Sequence, residues 1–155
     1  MLKLTKKADY ALMAMKDLAE QAHVGARSAK DVADSYGIPP EALAKILQRL
    51  AKAGLLHSQQ GIKGGYTLAR AAHTISAFEV IQAIDGPLFI TSCVTIRGEC
   101  GQSNRCTIRE PLRKVNQSIE DVLKRIKIAH MREEPEISAE SAKQEDLVSI
   151  TEPLI

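Results

Sequence analysis

The chain has 155 residues, 45% of them apolar with no tryptophan, and 21 basic against 19 acidic side chains for a net charge of +2. That is ordinary for one globular domain, or one domain plus an appendage, with a core built from aliphatic side chains. No apolar stretch nears the ~20 residues of a membrane span, and no apolar run of leader length follows the first lysines. The chain is therefore read as cytoplasmic, with no membrane partner.

The charge is unevenly placed. Residues 1–70 hold eleven Lys/Arg against six Asp/Glu, residues 71–130 eight against six, and residues 131–155 two against seven. A basic front with an acidic tail suits a polyanion partner.

The first helix is expected to open at Thr5, an N-cap residue type. Leu4, Ala8, Ala11, Leu12, Met15, Leu18 and Ala19 recur behind it at helical spacing, and Gly25 is expected to end the segment. Ser28 caps a short helix, with Asp31 three residues on in a capping-box arrangement, and Gly37 stops it. Ile38-Pro39-Pro40 restarts the chain, and proline is tolerated in a helix's first turn. Leu43, Ile46, Leu47 and Leu50 then form an apolar stripe closed by Gly54. Two helices joined by a tight glycine turn form the helix-turn-helix pattern. Small Ala33 stands where the pair should approach most closely. Leu55–Gln60 and Tyr66–Ala69 flank a glycine-rich turn and read as a β-hairpin, the wing. Ser76 with Glu79 signals another capping box. The helix behind it, with Phe78, Val80, Ile81 and Ile84 on its apolar face, ends at Asp85-Gly86-Pro87. A polar loop over 93–106 holds Cys93, Cys100 and Cys106. A long helix is then expected from Thr107 to Ala129. Its apolar residues Ile108, Leu112, Val115, Ile119, Val122 and Ile126 step by four, three, four, three and four, a heptad seam for a two-fold partner. The tail after Met131 is acidic and proline-punctuated and reads as disordered.

The expected fold is thus mainly α with a small β-hairpin wing. Residues 1–88 form a winged helix-turn-helix, residues 89–130 the cysteine loop and a dimerisation helix, and residues 131–155 the acidic tail. A winged helix also serves protein contacts in some chains. With DNA as the partner, the helix over 39–53 enters the major groove and presents Glu41, Ala44, Lys45 and Gln48 toward base edges, with Pro40 at its start a further DNA contact. Lys45, Arg49 and Lys52 are placed for phosphates. Taken singly, each of these equally suits a solvated helix face. In the wing, Gln59, Gln60 and Lys63 are candidates for the minor groove or the backbone, with Gly61, Gly64 and Gly65 permitting close approach. Thr5, Lys6 and Lys7 add backbone contacts at the first helix's N-terminus, and Ser28 is a further candidate at the second. A homodimer would present two recognition helices to half-sites about 34 Å apart or a multiple of that. No nucleophile–base set is visible. Gly61-Ile62-Lys63-Gly64-Gly65 lacks the Ser/Thr and helix that follow a phosphate-binding loop, so no enzyme is expected.

Three cysteines within fourteen residues, in a chain read as cytosolic, favour a metal or redox site over a structural disulfide. Six residues separate the first pair and five the second, unlike the Cys-x2-Cys pairs of structural zinc. Three thiolates in a glycine-containing loop suit an iron–sulfur cluster. Arg97 and Arg105 favour thiolates. Three cysteines leave a fourth coordination position needing another donor. A zinc site and a thiol redox switch stay open at this point.

In this order of parts the chain resembles the winged-helix iron–sulfur transcription regulators of the IscR/NsrR family. The resemblance spans about residues 1–130. It rests on Leu4 through Leu12, Gly37 through Leu50, Gly54-Leu55, Gly61 through Leu68, Glu79-Val80-Ile81, the cysteine triplet and Val115-Asn116. Asp85-Gly86-Pro87-Leu88 with Thr91-Ser92-Cys93 looks most like regulators of SUF-type cluster-assembly operons. The resemblance implies a homodimer on a double-stranded DNA operator, a cluster held by Cys93, Cys100 and Cys106, and operator affinity that depends on it. It implies control of cluster-assembly, iron or redox and nitrosative stress genes, as a repressor. Two departures stand out. IscR-type members have a shorter gap between the first two cysteines. They also supply a histidine three residues past the third, where this chain has Arg109, which cannot ligate. NsrR-type members use a first-helix carboxylate from the partner subunit, which maps to Asp9. An acid there also suits a helix N-terminus. Glu99, His130 and an external small ligand stay open as the fourth donor. A three-cysteine set without histidine favours 4Fe–4S over 2Fe–2S.

Overall fold

The computed structural model describes residues 3–91, 100–102 and 104–131. Cys93, Arg97, Glu99 and the acidic tail lie outside the described residues. Helix α1 spans Lys6–Glu20, and the hydroxyl of Thr5 accepts the Ala8 N–H at its start. It ends well before Gly25. Ala8, Ala11 and Ala14 on its buried face are small enough to let neighbouring helices approach closely. Helix α2, Ala29–Tyr36, carries both bonds of the Ser28–Asp31 capping box. It stops at Gly37, whose φ of 63° turns the chain without a side-chain clash. Helix α3, Pro40–Lys52, follows at once, with proline in its first turn.

Strands β1 (Leu56–Gln59) and β2 (Gly65–Leu68) pair antiparallel, with Leu56 opposite Leu68 and Gln59 opposite Gly65. The wing is also pinned at its root. Arg27, between α1 and α2, exchanges backbone hydrogen bonds of 3.1 and 2.8 Å with Tyr66. At this crossing a Cβ on Gly65 would stand 2.3 Å from the Arg27 carbonyl oxygen, so only glycine fits. Close behind, a Cβ on Gly64 would meet the Gln59 carbonyl oxygen at 2.6 Å.

Helix α4, Ala77–Asp85, completes the Ser76–Glu79 capping box. Its Ala77, Val80, Ile81 and Ile84 are buried, and half-buried Phe78 lies under the Lys124 ammonium at 4.8 Å. Met15, Leu43, Leu47, Leu50, Ile75 and Val80 meet in one core.

Helix α5 runs Arg109–Arg125, four residues short of the expected end at Ala129. The correction has a tertiary cause. After Arg125 the chain turns extended and lies against the start of α4. The Ile126 carbonyl accepts the Ala77 N–H at 2.8 Å, and the Ile128 N–H donates to the Ile75 carbonyl at 2.9 Å. A short 3₁₀ turn, Ile128–His130, then seats Ile128 in the core of the first 88 residues. Ile126 is therefore the cap of α5, not its last seam turn.

One polar cluster ties the first half together. Asp17, on the buried side of α1 and 4% exposed, stands 3.1 Å from Arg27 Nε and accepts the Tyr36 hydroxyl at 3.3 Å. The Arg27–Asp17 contact is a charge pair rather than an aligned hydrogen bond. The same guanidinium donates to Ser35 Oγ and to the Asp31 carbonyl. Burial first, and then the Asp17 charge, push the Tyr36 phenol above its usual range.

Candidate nucleic-acid interface

The residues proposed for base edges lie on one open face. Pro40, Glu41, Lys45, Gln48 and Arg49 of α3 are exposed, and Ala44 is half-buried. Thr5, Lys6 and Lys7 are exposed at the start of α1. The tertiary fold brings these two groups together around a cleft of about 670 Å³, lined by Lys6, Lys7, Tyr10, Glu41, Lys45 and Arg49 among others. Four cations around one cleft, with a single carboxylate among them, make a local anion-attracting field that the chain's modest net charge conceals. Lys6 also lies over the Tyr10 ring at 5.9 Å.

Three candidates already have partners inside the chain. The Thr5 hydroxyl donates to Asp85 Oδ1 at 2.7 Å. Arg49 Nη1 donates to the Ile84 carbonyl at 3.0 Å, so this arginine is tethered to the end of α4. Ser28 accepts the Asp31 N–H, and its hydroxyl at 2.7 Å and its backbone N–H at 3.2 Å both donate to Asp31 Oδ2, which holds the Asp31 carboxyl below its usual range. In the wing, Gln59, Gln60 and Lys63 are exposed and Gly64 is half-buried in its crowded turn. Ile62, which the sequence reading passed over, stands fully exposed at the wing tip. Its only sequence signal is an aliphatic side chain within a glycine-rich turn.

Cys100 and Cys106 carry free thiols and are each half-buried. Among the described residues, no three His, Cys, Asp or Glu side chains gather closely enough to hold a metal ion. Asp9 is exposed on α1, His130 is exposed in the turn after α5, and Arg109 is the first residue of α5. The described part of one chain thus does not bring Asp9 to the two cysteines. The third cysteine lies outside that part. The donor chemistry itself suits a cluster: two unoxidised sulfurs lie within one loop, and neither is sealed in the core.

The α5 seam is open. Ile108, Val115 and Val122 are 60, 47 and 47% exposed, and an apolar groove of about 410 Å³ runs by Val115, Ile119, Val122 and Leu123. Asn116 is the buried residue of this helix. Its side-chain oxygen accepts the Ile90 N–H at 3.0 Å, and its amide donates to Glu120. That bond anchors the segment that leads into the cysteine loop.

Residues 4–134 match the family model Rrf2, described as iron-dependent transcriptional regulator. A curated relative is the HTH-type transcriptional regulator IscR of Vibrio campbellii, 31% identical over 99% of this chain and 90% of its own length. Among solved structures, T. potens IscR superposes with a TM-score of 0.67 at 29% identity, covering 96% of this chain and 93% of that one. CymR (YrzC), the global cysteine regulator of B. subtilis, gives 0.72 at 26% identity, covering 84% and 95%.

Proposed function

The chain belongs to the Rrf2 family of iron-dependent transcriptional regulators, and from that premise we propose a homodimer whose operator affinity is governed by an iron–sulfur cluster on Cys93, Cys100 and Cys106. Regulation of transcription through DNA, by a winged helix, is the family's activity and not an enzymatic one. The cluster, the dimer, the cytoplasmic setting and the choice of 4Fe–4S over 2Fe–2S are the proposal, as is repression of cluster-assembly, iron or stress genes. The observation that carries it is the α5 seam left open to solvent directly after a loop with two free thiols.

In this reading the chain's own residues divide the work. Lys6, Lys7 and Lys45 attract the phosphate backbone around the cleft between α1 and α3. Glu41, Ala44 and Gln48 face the major groove, while Gln59, Gln60 and Lys63 reach along the wing. The seam pairs two chains, so that two such faces meet one duplex. Cys93, Cys100 and Cys106 would hold the cluster, with Asp9 of the partner subunit as the fourth donor. When bound, the cluster supplies iron–thiolate bonds that come and go with iron and oxidant. Held by these cysteines, the cluster would couple the chemistry at the loop to the dimer's affinity for DNA.

Anaerobic purification with an absorbance spectrum and an iron and sulfide assay tests this. A brown protein whose operator binding changes in Cys93→Ala is expected. A colourless, iron-free protein whose operator binding ignores that substitution overturns it. A second reading, a zinc- or thiol-controlled switch without a cluster, is favoured by the half-buried free thiols and by the structural likeness to a cysteine regulator. Stoichiometric zinc, or reversible disulfide formation coupled to DNA release, would select it.

A further inference from the structure

The C-terminal end of α4 touches both DNA-facing elements. The Ile84 carbonyl holds Arg49 of α3, and the Asp85 carboxylate holds Thr5, the residue that caps α1 immediately before Lys6 and Lys7. Five residues later, the Ile90 N–H is held by Asn116 in the middle of α5. The segment between these anchors is short. Gly86 turns at a φ of 80°, and Pro87 has a fixed φ and no N–H to give. A cleft of about 350 Å³ separates Lys3-Leu4-Thr5 from Gly86–Ile90, so the segment is not packed solidly against α1 there. The Thr5–Asp85 bond is a direct polar link between that segment and the start of α1.

We infer that Asp85 is a positioning residue: through Thr5 it sets the DNA-facing start of α1, and it passes on the state of the segment leading to the cysteine loop. The first half needs only the family's DNA binding; the second rests on the cluster reading above. A displacement of Ile90 reaches Asp85 within five residues of chain. Losing that bond leaves Thr5 still accepting the Ala8 N–H, so α1 keeps its cap and its core packing but loses this polar link at its first turn. Lys6 and Lys7 then sample more directions, and their phosphate contacts weaken.

The test uses the full-length protein and a duplex that it selects from random-sequence DNA. Operator affinity is measured across salt concentrations for wild type, Asp85→Ala, Asp85→Asn, Lys6→Ala and the Asp85→Ala/Lys6→Ala double variant. Asp85→Ala is expected to weaken binding by about three- to tenfold, the size of one ordinary hydrogen bond. It should also flatten the salt dependence, because a phosphate contact is loosened, while thermal midpoint stays near wild type. Asp85→Asn keeps an acceptor oxygen and should restore most of the affinity. Lys6→Ala should cost less in the Asp85→Ala background than in wild type. Equal affinity and salt slope for Asp85→Ala, or full additivity with Lys6→Ala, overturns the positioning role. The relay is read separately, as the ratio of affinities for protein prepared with and without iron. That ratio should shrink in Asp85→Ala; an unchanged ratio overturns the relay. A wild-type ratio of one defeats the cluster reading and the relay with it, and leaves the positioning result standing.

Discussion

Residues 3–91 and helix α5 are built on opposite plans. The first region turns its apolar faces inward on one another, so that Met15, Leu43, Leu47, Leu50 and Val80 are all essentially sealed. Helix α5 carries an equally regular apolar stripe, yet Asn116 is its buried residue, Val115 and Val122 are exposed, and Leu112, Ile119 and Leu123 are only half-buried. A stripe that closes a core and a stripe left partly open to solvent look alike in composition. They differ in what stands opposite. The wider face of a core helix meets several neighbours, whereas a narrow heptad seam matches a single partner helix.

The contrast can be broken or sharpened by substitution. Removing Arg27 should strike hardest at the first region, because Asp17 would be left as an uncompensated buried charge. Arg27→Met is expected to cost about 3 kcal/mol or more in urea unfolding, and a loss under about 1 kcal/mol would show that the cluster contributes little. Leu47→Ala leaves a void in the same core and should cost about 2–5 kcal/mol by the same measurement, whatever the protein concentration. Ser76→Ala removes the cap of α4 and should cost about 1 kcal/mol.

Acid acts through the caps too. The Glu79 carboxyl lies below its usual range: burial pushes it up, but bonds from Ser76 and Arg70 outweigh that. Asp31 is likewise held low by Ser28. With folded pKa values depressed, the unfolded chain takes up protons first as pH falls. The caps' contribution should be complete near neutrality and fade below about pH 5, tracked by the thermal midpoint. A midpoint that rises on acidification across that window would contradict this. The smallest effect on folding belongs to the seam. Val115→Glu with Val122→Glu should change the stability of the first region by about 0.5 kcal/mol or less, yet leave monomers in sedimentation at micromolar concentration. Undiminished dimers would place the partner surface elsewhere.

Local signals were legible in the sequence. Thr5, Ser28 and Ser76 cap the helices expected of them, Gly37 makes its left-handed turn, and the hairpin forms on either side of Gly61–Gly64, because caps and turns depend on a few adjacent residues. The apolar period of α5 was legible for the same reason: it is written along one helix. Only the tertiary structure decided the rest. Helix α5 ends at Arg125 because backbone pairing with Ile75 and Ala77 draws Ile128 into a distant core, and no local residue encodes that. Asp17 reads as an ordinary helical acid until the fold sets Arg27 and Tyr36 beside it. Among the candidate DNA contacts, those at the start of α1 and those on α3 lie far apart along the chain. Their union around one cleft, and the Thr5–Asp85 and Arg49–Ile84 bonds that hold its edges, come from chain segments 35 to 80 residues apart. Periodicity and capping speak for neighbours along the chain. A contact across that distance exists only once burial of the shared core has closed the intervening loops.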